Sequence, residues 1–129
     1  MITGDLIDAS HTDVGIALGF AQESVRIATT YYATGNHEAA CSQYSDLKIG
    51  LEAARVIVLE DEAISLERNG ETVTLLGLDD PDFTVKGDMF GEVPAMVGTK
   101  LRNLDNSEGG YTILFSHRPE IVLVELNGK

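Results

Sequence analysis

Basic residues are scarce in this chain of 129 residues, which has 9 lysines and arginines against 21 aspartates and glutamates. The formal net charge is therefore 9 − 21 = −12 at pH 7. A surface this acidic repels phosphate backbones, and the sequence has no basic stripe with interleaved aromatic residues to offset the repulsion. This balance of charge argues against nucleic-acid binding as a primary role.

Cysteine and long apolar runs are also rare. The single cysteine, Cys41, cannot form an internal disulfide, which fits a reducing compartment, and we expect a cytoplasmic protein. Charges interrupt the longest apolar runs well short of a membrane span, and no secretory signal is visible. We therefore expect membrane association only through flanking segments that this sequence lacks. The chain also has no internal repeat, linker or low-complexity tract, which favours a single domain over residues 1–129.

The apolar residues that are present predict alternating strands and helices. Helical spacing marks two segments, one carried by Val14, Leu18, Ala21 and Val25 and the other by Tyr44, Leu47, Leu51 and Ala54. Continuous apolar runs predict strands at Met1–Ile7, Ile27–Thr34, Val56–Leu59 and Tyr111–Phe115. Asn69-Gly70 between two alternating runs predicts a hairpin with a type I′ turn. Further helices are predicted from Glu92 and Pro119. The fold class is therefore α/β, with mixed β-sheets flanked by helices.

Polar side chains follow three of the predicted strands where each strand ends. The three segments are Gly4-Asp5-Leu6-Ile7-Asp8, Gly35-Asn36-His37-Glu38 and Ser116-His117-Arg118-Pro119. Because the carboxyl ends of parallel strands meet at one edge of a sheet, we expect these side chains to converge. Carboxylate and amide oxygens together with imidazole nitrogens suit a divalent metal ion and a proton transfer.

These segments resemble motif blocks of the calcineurin-like metallophosphoesterases. The blocks occur in the family's order, the likeness covers almost the whole chain, and Gly77-Leu78-Asp79-Asp80-Pro81 is similar to a segment of one bacterial branch. The resemblance implies a four-layered α/β/β/α sandwich with two mixed sheets. It also implies that the domain is incomplete at both ends. The family's first Asp-x-His block and last Gly-His-x-His block do not occur in this sequence.

The resemblance implies a dinuclear metal centre and a hydrolytic activity. Asp5 would bridge two divalent ions, which are Mn, Fe or Zn, and Asn36 and His117 would be ligands of one of them. His37 would stabilise the transition state or protonate the leaving alkoxide, with Asp8 as the partner that orients its ring. The complete enzyme would hydrolyse a small phosphomonoester or phosphodiester by means of a metal-bound hydroxide. Bound metal ions would also offset the acidic field that otherwise repels a phosphorylated substrate.

Two alternatives remain open at this stage. A non-catalytic metal-binding or structural fragment would keep Asp5, Asn36 and His117 as half of a site. An acidic flavodoxin-like regulatory domain would also place aspartates at strand ends. The regulatory domain explains neither Asn36-His37 nor His117, so it is the weaker alternative.

Overall fold

Two small β-sheets and the helices that accompany them make up the described part of the chain. The computed structural model describes residues 1–8, 10, 13–83, 98–102 and 111–118. The strands are β1 (Ile2–Thr3), β2 (Tyr31–Ala33), β3 (Ile57–Val58), β4 (Glu62–Arg68), β5 (Glu71–Gly77) and β6 (Tyr111–Phe115). The helices are α1 (Val14–Ile27), α2 (Asn36–Ala40) and α3 (Tyr44–Ala53), and a 3-10 turn follows at Pro81–Phe83. Residues 98–102 are also helical.

The first sheet is parallel, with β2 between β1 and β3. Parallel neighbours require crossover connections, which α1 supplies between β1 and β2 and which α2 and α3 supply between β2 and β3. The strand predicted from Ile27 begins later, at β2, because α1 continues through Ile27 and ends where the Ala28 amide bonds to the Ser24 carbonyl. The first strand is also shorter than predicted, since the backbone leaves the extended region at Gly4 (φ 91°).

Helices α1 and α3 cover one face of this sheet. Their buried residues form an apolar core with Ile7, Tyr32 and Val56, and the two helices meet where Gly50 lies against Leu18. Helix α1 begins at Val14 because the Asp13 carboxylate caps it, accepting a hydrogen bond of 3.1 Å from the Ile16 amide. The two predicted helices of the first half of the chain are confirmed.

The second sheet is mixed. Strands β4 and β5 form an antiparallel hairpin, and β6 pairs with β5 in parallel. Asn69 (φ 55°) and Gly70 (φ 79°) both have positive φ, as a type I′ turn requires, so the predicted hairpin is confirmed.

The two sheets pack face to face. Ala33 and Leu59, from the region of the first sheet, form a second apolar cluster with Leu75 and Phe115 from the second. The approach is close at Gly77, where an added Cβ would lie 2.2 Å from the Leu59 Cβ. The described layers are thus helices, parallel sheet and mixed sheet, which confirms the α/β class. The helices predicted from Glu92 and Pro119 begin outside the described residues. Within the described residues, no helix has the length and apolar character that crossing a membrane requires.

Candidate metal site

Two glycines allow the ends of β1 and β2 to approach each other. A Cβ on Gly4 would lie 2.6 Å from the Gly35 Cα and 2.7 Å from the His117 Nδ1, and a Cβ on Gly35 would lie 2.4 Å from the Asp5 Oδ1. Real Cβ atoms do not approach other atoms this closely. Any larger residue at either position would therefore push Asp5 or His117 away.

Glu38 holds the turn that carries Asp5. Its side chain is fully buried, and its two carboxylate oxygens accept hydrogen bonds of 3.0 Å from the Asp5 and Leu6 amides. A third hydrogen bond comes from the Tyr32 hydroxyl. Burial and the nearby Glu38 charge raise the pKa of Tyr32, so this hydroxyl stays protonated and remains a donor. Asp5 itself has a φ of 51°, and the carboxylate of Glu38 satisfies the two amides that this unusual turn directs inward.

Glu38 belongs to the short helix α2, and its full burial shows that its carboxylate is not solvated. Its amide donors lie 32 and 33 residues away along the chain, so no local pattern could identify them.

The structure brings Asp5, Asn36 and His117 together. The Nε2 atom of His117 lies 3.0 Å from the Asn36 Oδ1 and 3.3 Å from the Asp5 Oδ2. The other carboxylate oxygen of Asp5 accepts a hydrogen bond of 3.1 Å from the His37 amide, which fixes the orientation of the carboxylate. Three side chains from three different strand ends thus direct polar atoms at one point.

The hydrogen bond on the far side of the His117 ring determines what those atoms can do. The Nδ1 atom lies 2.8 Å from the Thr3 carbonyl oxygen, which can only accept, so Nδ1 carries a proton. In the neutral ring the Nε2 atom is then an acceptor, and it faces the acceptor oxygens of Asp5 and Asn36. These atoms therefore converge favourably only around a positive charge, which is either a bound cation or a proton on Nε2. A histidine that donates to a backbone carbonyl through one nitrogen and offers the other is the usual arrangement of a metal ligand.

The donor set fits one divalent cation. A carboxylate, an amide oxygen and a neutral imidazole nitrogen are ligands that Mn²⁺, Fe²⁺ and Zn²⁺ accept. In the described part of the chain, no group of three or more His, Cys, Asp or Glu side chains could hold a metal ion. The candidate set differs from such a group because its third ligand is an asparagine. The second metal ion stays a prediction.

His37 lies beside these atoms. Its Nε2 atom is 3.9 Å from the Asp5 Oδ2, and its side chain is 37% exposed, so the ring is at the solvent edge of the site. Asp8, its predicted partner, accepts hydrogen bonds from the Ser10 amide (2.8 Å) and hydroxyl (2.6 Å). The predicted pairing of Asp8 with His37 stays a prediction.

The loop that begins at Asp79 gave no chemical signal in the sequence, yet two of its aspartates lie near the site. Asp80 is buried, and its Oδ2 atom lies 3.0 Å from the Arg118 Nε. Asp79 accepts a hydrogen bond of 2.8 Å from the Thr34 hydroxyl. The pKa of Asp79 is raised to about 6, mainly by burial and also by the charges of Asp61 and Glu60, although the Thr34 hydrogen bond opposes the rise. Arg118 therefore forms an ion pair with a buried carboxylate.

Comparison with models of known protein families and with curated proteins gives no match to this chain. The metallophosphoesterase interpretation therefore depends on the motif blocks and on the geometry of the residues that carry them.

Proposed function

We propose that Asp5, Asn36 and His117 bind one divalent metal ion, and that this ion serves a metallophosphoesterase activity. The observation that carries this proposal is the convergence of three potential ligand atoms, with the Nε2 atom of His117 at 3.0 Å and 3.3 Å from the Asn36 and Asp5 oxygens. A divalent cation at this point would be coordinated by all three atoms.

The proposed substrate is a small phosphomonoester or phosphodiester. Divalent metal ions supply charge neutralisation and activate water for attack on phosphorus. The chain carries a net charge of −12, so a phosphorylated substrate needs such a local positive centre in order to approach. The family's four-layered sandwich and its second metal ion belong to this proposal, supported by the motif blocks and by the two packed sheets.

The other residues have distinct proposed roles. Asp5 is oriented by the His37 amide at one oxygen, while Glu38 holds the backbone on which it stands. The His37 ring is placed to donate a proton to a leaving oxygen, because it is near Asp5 and yet accessible from solvent. Asp8 would orient the His37 ring and keep it protonated. That role is supported by the motif block alone.

A non-catalytic metal-binding fragment is the second candidate. The observation that favours it is that the atoms of Asp5, Asn36 and His117 converge on one point, which is sufficient to hold one ion without any catalytic group. A fragment of this kind would bind an ion through the same atoms without turning over an ester.

Calorimetric titration with Mn²⁺, combined with hydrolysis of bis(p-nitrophenyl) phosphate by the same sample, tests the proposal. We expect one weak Mn²⁺ site, because three ligands leave open coordination positions, together with slow Mn²⁺-dependent hydrolysis. Asp5→Asn should abolish binding. Asp46→Asn removes the same charge from an exposed position on α3 and should leave binding unchanged.

The outcomes separate the candidates. Mn²⁺-dependent turnover that Asp5→Asn abolishes establishes the enzyme. Mn²⁺ binding without turnover favours the non-catalytic fragment. If the chain does not bind Mn²⁺, or if the two variants weaken binding equally, the proposed site is wrong.

A further inference from the structure

A short segment after β5, Leu78–Asp80, connects the two strand ends that carry Asn36 and His117. The Leu78 amide donates a hydrogen bond of 3.0 Å to the Phe115 carbonyl, at the end of β6. The Asp80 amide donates one of 3.0 Å to the Thr34 hydroxyl, just after β2. Phe115 and Thr34 each precede a proposed ligand by two residues, so the segment joins the two ligand-bearing strand ends across both sheets.

Each residue of this segment is held in place. The Thr34 hydroxyl accepts from the Asp80 amide and donates to the Asp79 carboxylate, so both of its roles are assigned. The Asp79 amide donates a hydrogen bond of 3.0 Å to the Asp61 carboxylate. Asp61 in turn forms an ion pair of 2.7 Å with Lys100. A segment that is hydrogen-bonded at successive positions is rigid, so it fixes the position of one strand end relative to the other.

The ion pair between Asp80 and Arg118 extends this connection past the end of β6. The Asp80 side chain is fully buried, while that of Arg118 is 28% exposed. A carboxylate removed from water is costly unless a cation and hydrogen bonds compensate it, so Asp80 constrains where the guanidinium of Arg118 can lie. The Arg118 amide also donates to the Ser116 hydroxyl, at 3.3 Å. His117 therefore directly precedes a residue whose side chain is held by a buried carboxylate.

We propose that Asp80 is a positioning residue of the metal site, which acts through Arg118 to hold the His117 ring against Asn36 and Asp5. The predicted effect on metal binding rests on the proposed function above. The predicted effect on the position of the His117 ring does not. The competing account is that the buried pair only stabilises the fold. Stability alone cannot separate these accounts, because breaking a buried ion pair destabilises a protein in either case.

The experiment uses the full chain and compares Asp80→Asn with Glu23→Gln. The second variant breaks an exposed ion pair of the same length, 3.0 Å, between Glu23 and Arg26 on α1. Two quantities are measured at a temperature where circular dichroism shows both variants folded: Mn²⁺ affinity by calorimetry, and nuclear Overhauser contacts between the His117 ring and the Asn36 side chain. Arg118→Lys, which keeps the charge but loses the planar guanidinium, replaces Asp80→Asn if that variant does not fold.

We expect Asp80→Asn to weaken Mn²⁺ binding by roughly 10–100-fold, the range seen when the partner of a metal ligand is removed. The contacts of the His117 ring with Asn36 should weaken in the same variant, and Glu23→Gln should change neither quantity. The double variant Asp80→Asn/Arg118→Gln should bind Mn²⁺ no more weakly than Arg118→Gln alone, because the two residues act in sequence.

Failure of this proposal is distinct from failure of the proposed function. If the unmodified chain binds Mn²⁺ and folded Asp80→Asn binds it equally well, the positioning role is refuted while the metal site stands. If the unmodified chain binds no Mn²⁺, the contacts between the His117 ring and Asn36 decide. Loss of these contacts in Asp80→Asn but not in Glu23→Gln supports the positioning role. Persistence of these contacts in Asp80→Asn overturns it.

Discussion

Glu38 receives three hydrogen bonds inside the fold, and two of them come from the amides of the turn that carries Asp5. At the residue scale, then, the site depends on a buried acceptor as much as on the proposed ligands. The same is true of Gly35, whose lack of a Cβ leaves room for the Asp5 carboxylate. Neither residue touches the point where the metal ion is proposed to bind, yet each determines where Asp5 lies.

Replacing Glu38 by glutamine tests the first of these dependencies. Glu38→Gln places an amide NH₂ group where a carboxylate oxygen accepts a hydrogen bond, so one buried donor loses its acceptor. The free energy of unfolding should therefore fall by about 1–3 kcal/mol. Urea denaturation measures the change. Tyr32→Phe removes a donor without introducing one, and the carboxylate keeps its two amide bonds. It should therefore cost less than Glu38→Gln. Equal stability of Glu38→Gln and the unmodified chain would refute the buried role.

Gly35→Ala tests the steric requirement. The backbone at Gly35 has a φ of −117°, which alanine adopts without strain. The added Cβ, however, would lie 2.4 Å from the Asp5 Oδ1. We therefore expect the variant to displace Asp5 and to lose Mn²⁺ binding. Gly19→Ala is the matched control, because Gly19 lies in α1 and has nothing within 4 Å. That change should raise helix stability by up to about 1 kcal/mol and leave Mn²⁺ binding intact. Unchanged calorimetry for Gly35→Ala would contradict the close approach.

The sequence predicted the candidate ligands but not the residues that support them. The resemblance of the motif blocks predicted Asp5, Asn36 and His117 as ligands, and their positions at strand ends predicted that they converge. The expected single sheet edge is wrong, because β6, which precedes His117, belongs to the second sheet. The burial of Glu38 and of Asp80 was not, since their partners lie far away in the chain and only the tertiary fold brings them together.

At the scale of the elements, the end of β2 joins both halves of the described chain. Its residue Tyr32 packs among the helices, Ala33 packs against the second sheet, and the following Thr34 bonds to Asp79 and Asp80. The alternation of side chains along one short strand thus connects three layers. The sequence predicted this strand but placed its start at Ile27. A β-branched run cannot be separated by pattern alone from the last turn of α1, in which Ile27 is 87% exposed.

The raised pKa of Asp79 predicts a pH-dependent difference in stability. The folded chain holds the proton of this carboxyl more tightly than its ordinary pKa of 3.8 implies, with a value of about 6. The stabilisation that this proton confers is fully present below the ordinary pKa and is lost as the pH rises through about 6. Asp79→Asn cannot ionise and keeps an acceptor for Thr34. It should therefore be more stable than the unmodified chain at pH 7.5, with a smaller difference at pH 5.

Urea denaturation at the two pH values measures this difference. Asp46→Asn is the control, since Asp46 is exposed and its replacement should give no comparable dependence on pH. A gap between Asp79→Asn and the unmodified chain that widens towards pH 5 would show that Asp79 is stabilised in its ionised form, contrary to this account.

At the scale of the whole molecule, the dominant feature is the net charge of −12 distributed over two small sheets and their helices. The α/β class and the hairpin of the second sheet were predictable from periodicity and from Asn69-Gly70, whereas the parallel pairing of β6 with β5 was not. The packing of one sheet on the other was not, because the contact at Gly77 and Leu59 depends on a glycine that no local rule required. A fourth layer remains a prediction.

Excess negative charge predicts a specific response to salt. Like charges repel one another more strongly in the compact folded state than in the unfolded chain. Raising NaCl from about 10 mM to about 150 mM shortens the Debye length from about 30 Å to about 8 Å and screens this repulsion. The free energy of unfolding should therefore rise. Mn²⁺ affinity should fall over the same range, since the acidic field that attracts the cation is screened. Thermal denaturation and calorimetry follow the two quantities. If the free energy of unfolding and the Mn²⁺ affinity both rise or both fall with added salt, this account is contradicted.

The most direct test of the central claim is a crystal of the chain grown with Mn²⁺ and measured at wavelengths on either side of the manganese absorption edge. We predict an anomalous difference peak within bonding distance of the Asp5 Oδ2, the Asn36 Oδ1 and the His117 Nε2, with the His117 Nδ1 still bonded to the Thr3 carbonyl. A well-ordered site with no anomalous peak, in which the Asn36 amide nitrogen donates directly to the His117 Nε2, would contradict the claim. In that case the three side chains form a hydrogen-bonded cluster and not a metal site.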